Sequence, residues 1–395
     1  MDSHYFSQKG ANAEKVIHDL ANRTFFGDWC YPNPKKPDGN ELCDLLVVFD
    51  DTALIWQIKD LKTDEEGHYK KAEVEKNLRQ LGGARRTLFD LKAPIVLSNP
   101  RRGSERFDPT TIKHVHLISV LMGDGEEPFP FVQEVKKHVL HVFTREFADI
   151  VLSELDTVSD FCHYLRAKEA MARDNKMVFV LGGEENLLGK YLEHGRNFDW
   201  MENYDVIQID DTIWPAISSK PQYIAKKTLD EISRGWDSII ERAHEGSSRY
   251  ELVARELARP DRFTRRVLSE SFMEAYSEFM ASEMDMIRRQ FAFAGTTYCF
   301  LITNDTEYPC KRRRDMLQAM CLVARGINPE NTRVIGIATS RDNRNYDFGF
   351  FDIKDWTPEM EAEKNRLQKE ANIFVSPRRI MASNDEYPPL QDLLS

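Results

Sequence analysis

Long apolar runs are missing from this chain. No stretch approaches the roughly 18 residues that a membrane-spanning helix needs, and the opening MDSHYFSQKG lacks the apolar centre of a signal peptide. A soluble, cytoplasmic protein with no membrane partner is therefore expected. Cysteines are few and scattered: Cys30, Cys43, Cys162, Cys299, Cys310 and Cys321 show no CxxC spacing. That argues against a zinc ribbon or a disulfide framework and for reduced, buried thiols. Neither GxxxxGK[ST] nor GxGxxG is present, so Gly182 and Gly183, which follow the apolar run from Met177, read as a structural turn rather than a phosphate cradle. Positive charge is also in deficit, with 54 Lys and Arg against 65 Asp and Glu for a net charge of -11. Such a chain does not coat a polyanion through its overall charge, and any nucleic acid has to be met by a local patch.

What is present is ample material for folded cores: of 395 residues, 41% are hydrophobic and 11% aromatic. That length suggests two domains. The most informative stretch is GNELCDLLVVFDDTALIWQIKD. Leu45 to Phe49 is one apolar strand, Asp50-Asp51 makes a turn, and Ala53 to Lys59 returns. Alternation puts Gln57 and Lys59 on one face and Ile58 on the other. In an antiparallel hairpin the start of the first strand lies beside the end of the second, so Asp44 is expected close to Gln57 and Lys59.

Upstream, Gly10 to Leu20 has the spacing of an amphipathic helix, with Ala13, Val16, Ile17 and Leu20 on its apolar face and Glu14 at the border. The order is a helix carrying Glu14, a strand opened by Asp44, a strand closed by Gln57-Ile58-Lys59, and a polar helix from Lys70 to Phe89. Over roughly the first hundred residues it resembles the PD-(D/E)XK, or restriction endonuclease-like, nucleases. The resemblance implies a mixed sheet flanked by helices and a Mg2+- or Mn2+-dependent nuclease. Asp44 would bind the metal with support from Glu14, Lys59 would orient the attacking water or offset charge at phosphorus, and the Ile58 carbonyl would also face the metal. Gln57 departs from the family pattern, because many members carry Asp or Glu there. An amide oxygen still ligates a hard cation, with one negative charge fewer. Restriction or antiviral defence in bacteria is the role that the resemblance implies, with DNA ahead of RNA as substrate. The competing class is a catalytically silent nucleic-acid-binding or regulatory protein on the same fold.

Candidate phosphate-contacting residues form two groups near this hairpin, Arg79, Arg85 and Arg86, then Arg101, Arg102 and Arg106, and a third far downstream at Lys311, Arg312, Arg313 and Arg314. Two histidine pairs, His114 with His116 and His138 with His141, invite a metal reading. No acid stands at a compact ligand spacing from them, so they are read as polar strand or surface positions and left unassigned.

The first domain is expected to run to about residue 170, with strands at Pro94 to Asn99 and His114 to Val120 extending its sheet. Residues 171–395 are expected to form an accessory α/β domain that grips substrate, senses an activating partner or builds a homo-oligomer. Within it, 223–293 has a helical pattern, followed by strands at Thr297 to Thr303, Thr332 to Ala338 and Asp347 to Ile353, with a helix over Arg313 to Ala324. The tail from Ser376 is expected to be extended.

Overall fold

A computed structural model of the chain describes residues 3–91, 94–123, 125, 131–135, 138–174, 177–246, 250–307, 309–375 and 385–389, with side chains described from residue 14 onward. The expected extended tail from Ser376 lies largely outside the described residues. The chain divides into two compact units, Met1–Lys220 and Pro221–Ser395.

The first unit is built on a six-stranded mixed sheet in the order β1-β2-β3-β6-β8-β7. Its strands are β1 (Cys30–Pro32), β2 (Leu45–Phe49), β3 (Thr52–Lys59), β6 (His114–Leu121), β7 (Val132–Val135) and β8 (His138–Thr144). The hairpin β2–β3 is antiparallel with Leu45 opposite Trp56. β3 and β6 run parallel, with Gln57 beside Ser119, and β6 and β8 run parallel with Ile118 beside His141. Asp50 turns the hairpin at φ 51, a left-handed conformation that Asp tolerates better than a branched residue does.

Alternation along β3 and β6 gives the sheet two apolar faces, as a sheet covered on both sides requires. Helix α2 (Lys71–Phe89) covers one face, where Leu78 and Leu81 pack with Leu46, Ile55, Leu117 and Val142. Helices α1 (Ser3–Phe25), α3 (Arg145–Glu154) and α4 (Val158–Arg173) serve the other. There Trp56 stacks on Phe161 of α4 with centroids 5.6 Å apart, and Phe25 of α1 meets Phe161 edge-on at 5.3 Å. Thr157 separates α3 from α4 and caps α4 by accepting from the Asp160 backbone N–H.

One expectation is corrected here. Val96–Asn99 (β4) is a strand, but it pairs with Gly103–Arg106 (β5) in a separate two-stranded sheet instead of extending the central one. His138 and His141 lie on strand β8, where alternation separates their side chains. Beyond α4, β9 (Met177–Val180) and β10 (Val206–Ile209) pair in parallel around α5 (Glu184–Glu193), followed by α6 (Ile213–Ser218). This segment belongs to the first unit, which runs on past residue 170 to Lys220. A buried contact ties it there: Lys168 of α4 and Glu184 of α5 form an ion pair, and the Tyr164 hydroxyl donates to the same carboxylate at 2.8 Å. Glu184 and its neighbour Glu185 open α5 directly after Gly182 and Gly183, and their negative charge at that helix start leaves the turn structural.

The second unit has a four-stranded sheet in the order β11-β12-β13-β14, comprising Met286–Phe293, Thr296–Thr303, Arg333–Ser340 and Tyr346–Asp352. Helix α11 (Lys311–Ile327) connects the parallel pair β12 and β13. Helices α7 (Pro221–Asp230), α8 (Arg234–Gly246), α9 (Glu251–Ala258) and α10 (Arg262–Met280) precede the sheet, and α12 (Pro358–Ala371) follows it. Gly336 of β13 is required by the packing of α11, since a Cβ there would sit 2.6 Å from the Cys321 sulfur. The helical pattern expected to reach residue 293 stops at Met280. Residues 286–293 pair one for one with β12, and Ala294 and Gly295, at φ 48 and 75, form the two-residue turn of a β-hairpin.

Candidate functional site

The hairpin does what its alternation requires. Asp44 stands one residue before β2, and its backbone N–H donates to the Trp56 carbonyl at 3.1 Å, which holds the chain in register. Its side chain is buried at 1% exposure on the α2 face of the sheet, beside Gln57. Gln57 Nε2 lies 2.8 Å from Asp44 Oδ1 and 2.7 Å from Oδ2, and the backbone N–H of Ile58 also donates to Oδ2. Lys59 Nζ is 3.6 Å from Oδ2 and remains one-third exposed. His18 of α1 contacts the Asp44 carbonyl through Nε2 at 3.0 Å.

Burial pushes the Asp44 carboxyl up to about 7; Lys59 and the Ile58 N–H pull it down, while Glu41 and Glu14 push it up. Asp44, Gln57, Ile58 and Lys59 come together through direct contacts, whereas Glu14 bears on Asp44 only as the smallest of the electrostatic influences on its carboxyl. Ile58 meets the carboxylate with its N–H and not with its carbonyl. On the same face, Asn77 of α2 donates from Nδ2 to Ser119 Oγ at 2.6 Å, and Asn77 Oδ1 is buried without a hydrogen-bond partner among the described residues.

The basic residues divide. Arg79 and Arg86 are exposed, with Arg79 3.7 Å from Glu75. Arg85 is half-buried against Asp90 at 3.5 Å and over the Phe89 ring. Arg101 pairs with Asp28 at 3.1 Å and Arg102 with Glu105 at 3.2 Å, so both help to lock β4 and β5 in place. Lys311 and Arg312 are exposed, Lys311 being 2.5 Å from Asp315. Arg313 leaves the surface patch altogether. Helical periodicity turns it inward, where it is fully buried and its Nε lies 2.7 Å from Asp347 of β14.

Sequence reading missed a second cluster on the opposite face of the sheet. Leu117 and Leu121 face α2, so alternation turns His116 toward α4, where it meets Glu169. His116 Nδ1 is 2.6 Å and His141 Nε2 3.1 Å from the same oxygen, Glu169 Oε1, and Arg173 lies 3.5 Å from Oε2. Burial pushes His141 down to about 4, with Glu169 opposing and Lys168 assisting. Burial raises Glu169, but the bonds to His116 and His141 outweigh it and hold the carboxyl at about 2. Two imidazoles around one carboxylate form a donor set consistent with a divalent metal site. One signal was available in the sequence: Glu169 follows Phe161 and Leu165 at spacings of eight and four residues, so an acid sits on the buried stripe of α4.

No protein-family model, curated protein or solved structure matches this chain. On its own geometry it is a mixed α/β protein with a buried His–His–Glu cluster, a separate helix-rich C-terminal unit and, among the described residues, no helix long and apolar enough to cross a membrane.

Proposed function

We propose that the first unit is a metal-dependent nuclease with a restriction endonuclease-like core, hydrolysing phosphodiester bonds in nucleic acid, with DNA ahead of RNA. The observation that carries this reading is the buried Asp44 carboxylate, held by Gln57 and the Ile58 N–H with the Lys59 ammonium 3.6 Å away. Asp44, Glu14 and the amide oxygen of Gln57 are hard oxygen donors, which fits Mg2+ or Mn2+ and not a soft ion. Such an ion supplies Lewis-acid polarisation of a phosphoryl oxygen and a hydroxide near neutral pH. Asp44 and Glu14 supply negative charge to hold it. Gln57 directs its N–H groups at Asp44, so its amide has to turn over before the oxygen can act as a ligand. Lys59, partly exposed at the rim, is placed to meet an anionic phosphate and to stabilise the charge that develops there. Exposed Arg79 and Arg86 of α2 are available for sequence-independent phosphate contacts.

A second reading rests on the same hydrogen bonds. Gln57 and the Ile58 N–H satisfy Asp44 within the protein, which suits a silent nuclease fold that binds nucleic acid or regulates another protein. In either reading residues 221–395 are an accessory unit that grips substrate, responds to an activating partner or assembles a homo-oligomer, and bacterial restriction or antiviral defence is the setting that the resemblance suggests.

Cleavage of plasmid, linear duplex, single-stranded DNA and RNA, each with Mg2+, Mn2+ or EDTA, separates the two. Metal-dependent cutting that is abolished in folded Asp44→Ala and Lys59→Ala supports the nuclease. Cutting that persists in Asp44→Ala overturns the site. Metal-independent binding without cutting by the wild type supports the silent protein.

A further inference from the structure

The cluster on the α4 face asks for a different ion from the one that suits Asp44. We propose that His116, His141 and Glu169 bind one Zn2+ per chain, at a site separate from the Asp44 hairpin, on the other face of the same sheet.

Three observations carry this. The ligand atoms come from three elements, β6, β8 and α4, and converge within 4.8 Å of one another in a buried setting. Two imidazoles and one carboxylate are the donor set of an open zinc site, in which three protein ligands leave a position for solvent, whereas Mg2+ prefers oxygen alone. A cavity of about 90 Å3 adjoins the cluster, lined by Glu169, Arg173, His138 and Arg85 among others. It is polar and meets the cluster at Glu169, so water can reach the carboxylate end of the site.

The fit has two costs. Tetrahedral ligands about 2.0–2.1 Å from zinc lie roughly 3.3 Å apart, and Glu169 Oε1 is 2.6 Å from His116 and 3.1 Å from His141. Binding therefore replaces both imidazole–carboxylate bonds with metal bonds, and ligand atoms that now lie within 4.8 Å of one another must settle at that spacing, the carboxylate drawing back from both imidazoles. The ring protons then reside on His116 Nε2 and His141 Nδ1, both buried with no hydrogen-bond partner among the described residues. Ligating imidazoles usually donate that second N–H to an acceptor, and losing such a bond weakens binding by about 10- to 100-fold. The expected site is consequently weaker than a structural zinc finger but specific for Zn2+ over Mg2+. Because the ion would join α4 to two central strands, its effect on the fold is to clamp that helix to the sheet.

The test is calorimetric titration of the full chain, stripped with chelator, using Zn2+, Mg2+ and Mn2+, for the wild type, Asp44→Asn, Glu169→Gln and His141→Ala. The proposal expects saturable Zn2+ binding at one per chain in the wild type and Asp44→Asn, at least tenfold weaker in the other two, with a zinc-dependent rise in Tm that those two lack. Should either variant fail to fold, imidazole nitrogen resonances of the wild type decide. Zn2+ must shift two buried histidines, and Mg2+ must not. Absence of a saturable Zn2+ site, or a site lost in Asp44→Asn and kept in Glu169→Gln, overturns the proposal. This outcome is independent of cleavage, so the nuclease reading can fail while the zinc site stands, and the reverse.

Discussion

Gln57 spans both carboxylate oxygens of Asp44, at 2.8 and 2.7 Å, and so occupies with a neutral amide the place where a second carboxylate would add charge. The substitution Gln57→Glu places two carboxylates side by side. Without metal they repel, and Tm in EDTA is expected to fall below that of the wild type. With Mg2+ the added charge attracts the cation, so Mg2+ affinity by titration is expected to rise by about tenfold, roughly 1.4 kcal/mol. An unchanged affinity would remove Gln57 from the metal site.

Lys59 can be tested apart from the metal. Its ammonium is one-third exposed, and Lys59→Ala removes a charge at the rim without opening the core. A loss of at least about 100-fold in cleavage rate is expected, the scale of one electrostatic contact to the transition state, with Mg2+ affinity changed by far less. A parallel loss of metal binding would make Lys59 a structural partner of Asp44 instead.

The pH dependence of stability in EDTA follows from Asp44. Its folded value of about 7 lies above the ordinary 3.8. A raised folded value means stability that is fully present below about 4 and lost as pH climbs through about 7, because the buried carboxyl must then ionise. Asp44→Asn removes this titration. At pH 8 the variant is expected to melt above the wild type, and the gap should close toward pH 5. A gap that does not vary between pH 5 and 8 would show that Asp44 is ionised throughout that range.

Arg313 and Arg312 are neighbours with opposite fates. Arg313→Ala leaves Asp347 buried at 1% exposure without its main counter-charge, and is expected to cost about 3–5 kcal/mol in urea unfolding. Arg312→Ala, on an exposed position of α11, should change stability by no more than about 0.5 kcal/mol. If Arg312→Ala also lowers DNA affinity in a salt-dependent manner, the second unit grips nucleic acid.

Much of the first site was legible because it is local. Asp44, Gln57 and Lys59 meet through a single hairpin, and period-2 alternation with antiparallel pairing is enough to bring them together. The histidine cluster was not legible, because Glu169 comes from a helix 53 residues beyond His116 and 28 beyond His141, and nothing in the strands specifies where that helix packs. Arg313 misled for a related reason. Four consecutive basic residues read as a surface patch, yet on a helix one of them must point inward, and only the position of β14 shows that Asp347 waits there to pair with it. Strand β11 reads as part of a helical run because the polar triplet Arg288-Arg289-Gln290 interrupts its apolar residues and hides any period-2 alternation. Its strand character comes from the pairing with β12 across a turn formed by Ala294 and Gly295.

The apolar alternation of β2 and β3, the register that sets Asp44 beside Gln57 and Lys59, and the lack of long apolar runs follow from residues close together along the chain, so they can be read there directly. Which face of the sheet receives α2 and which receives α4 emerges with the packed fold. The packed fold also decides that His116, His141 and Glu169 share one point, and that Arg313 is buried while Arg312 stays exposed. Those outcomes depend on how separate elements pack, and packing is settled by shape and burial summed over the whole core rather than by any one segment.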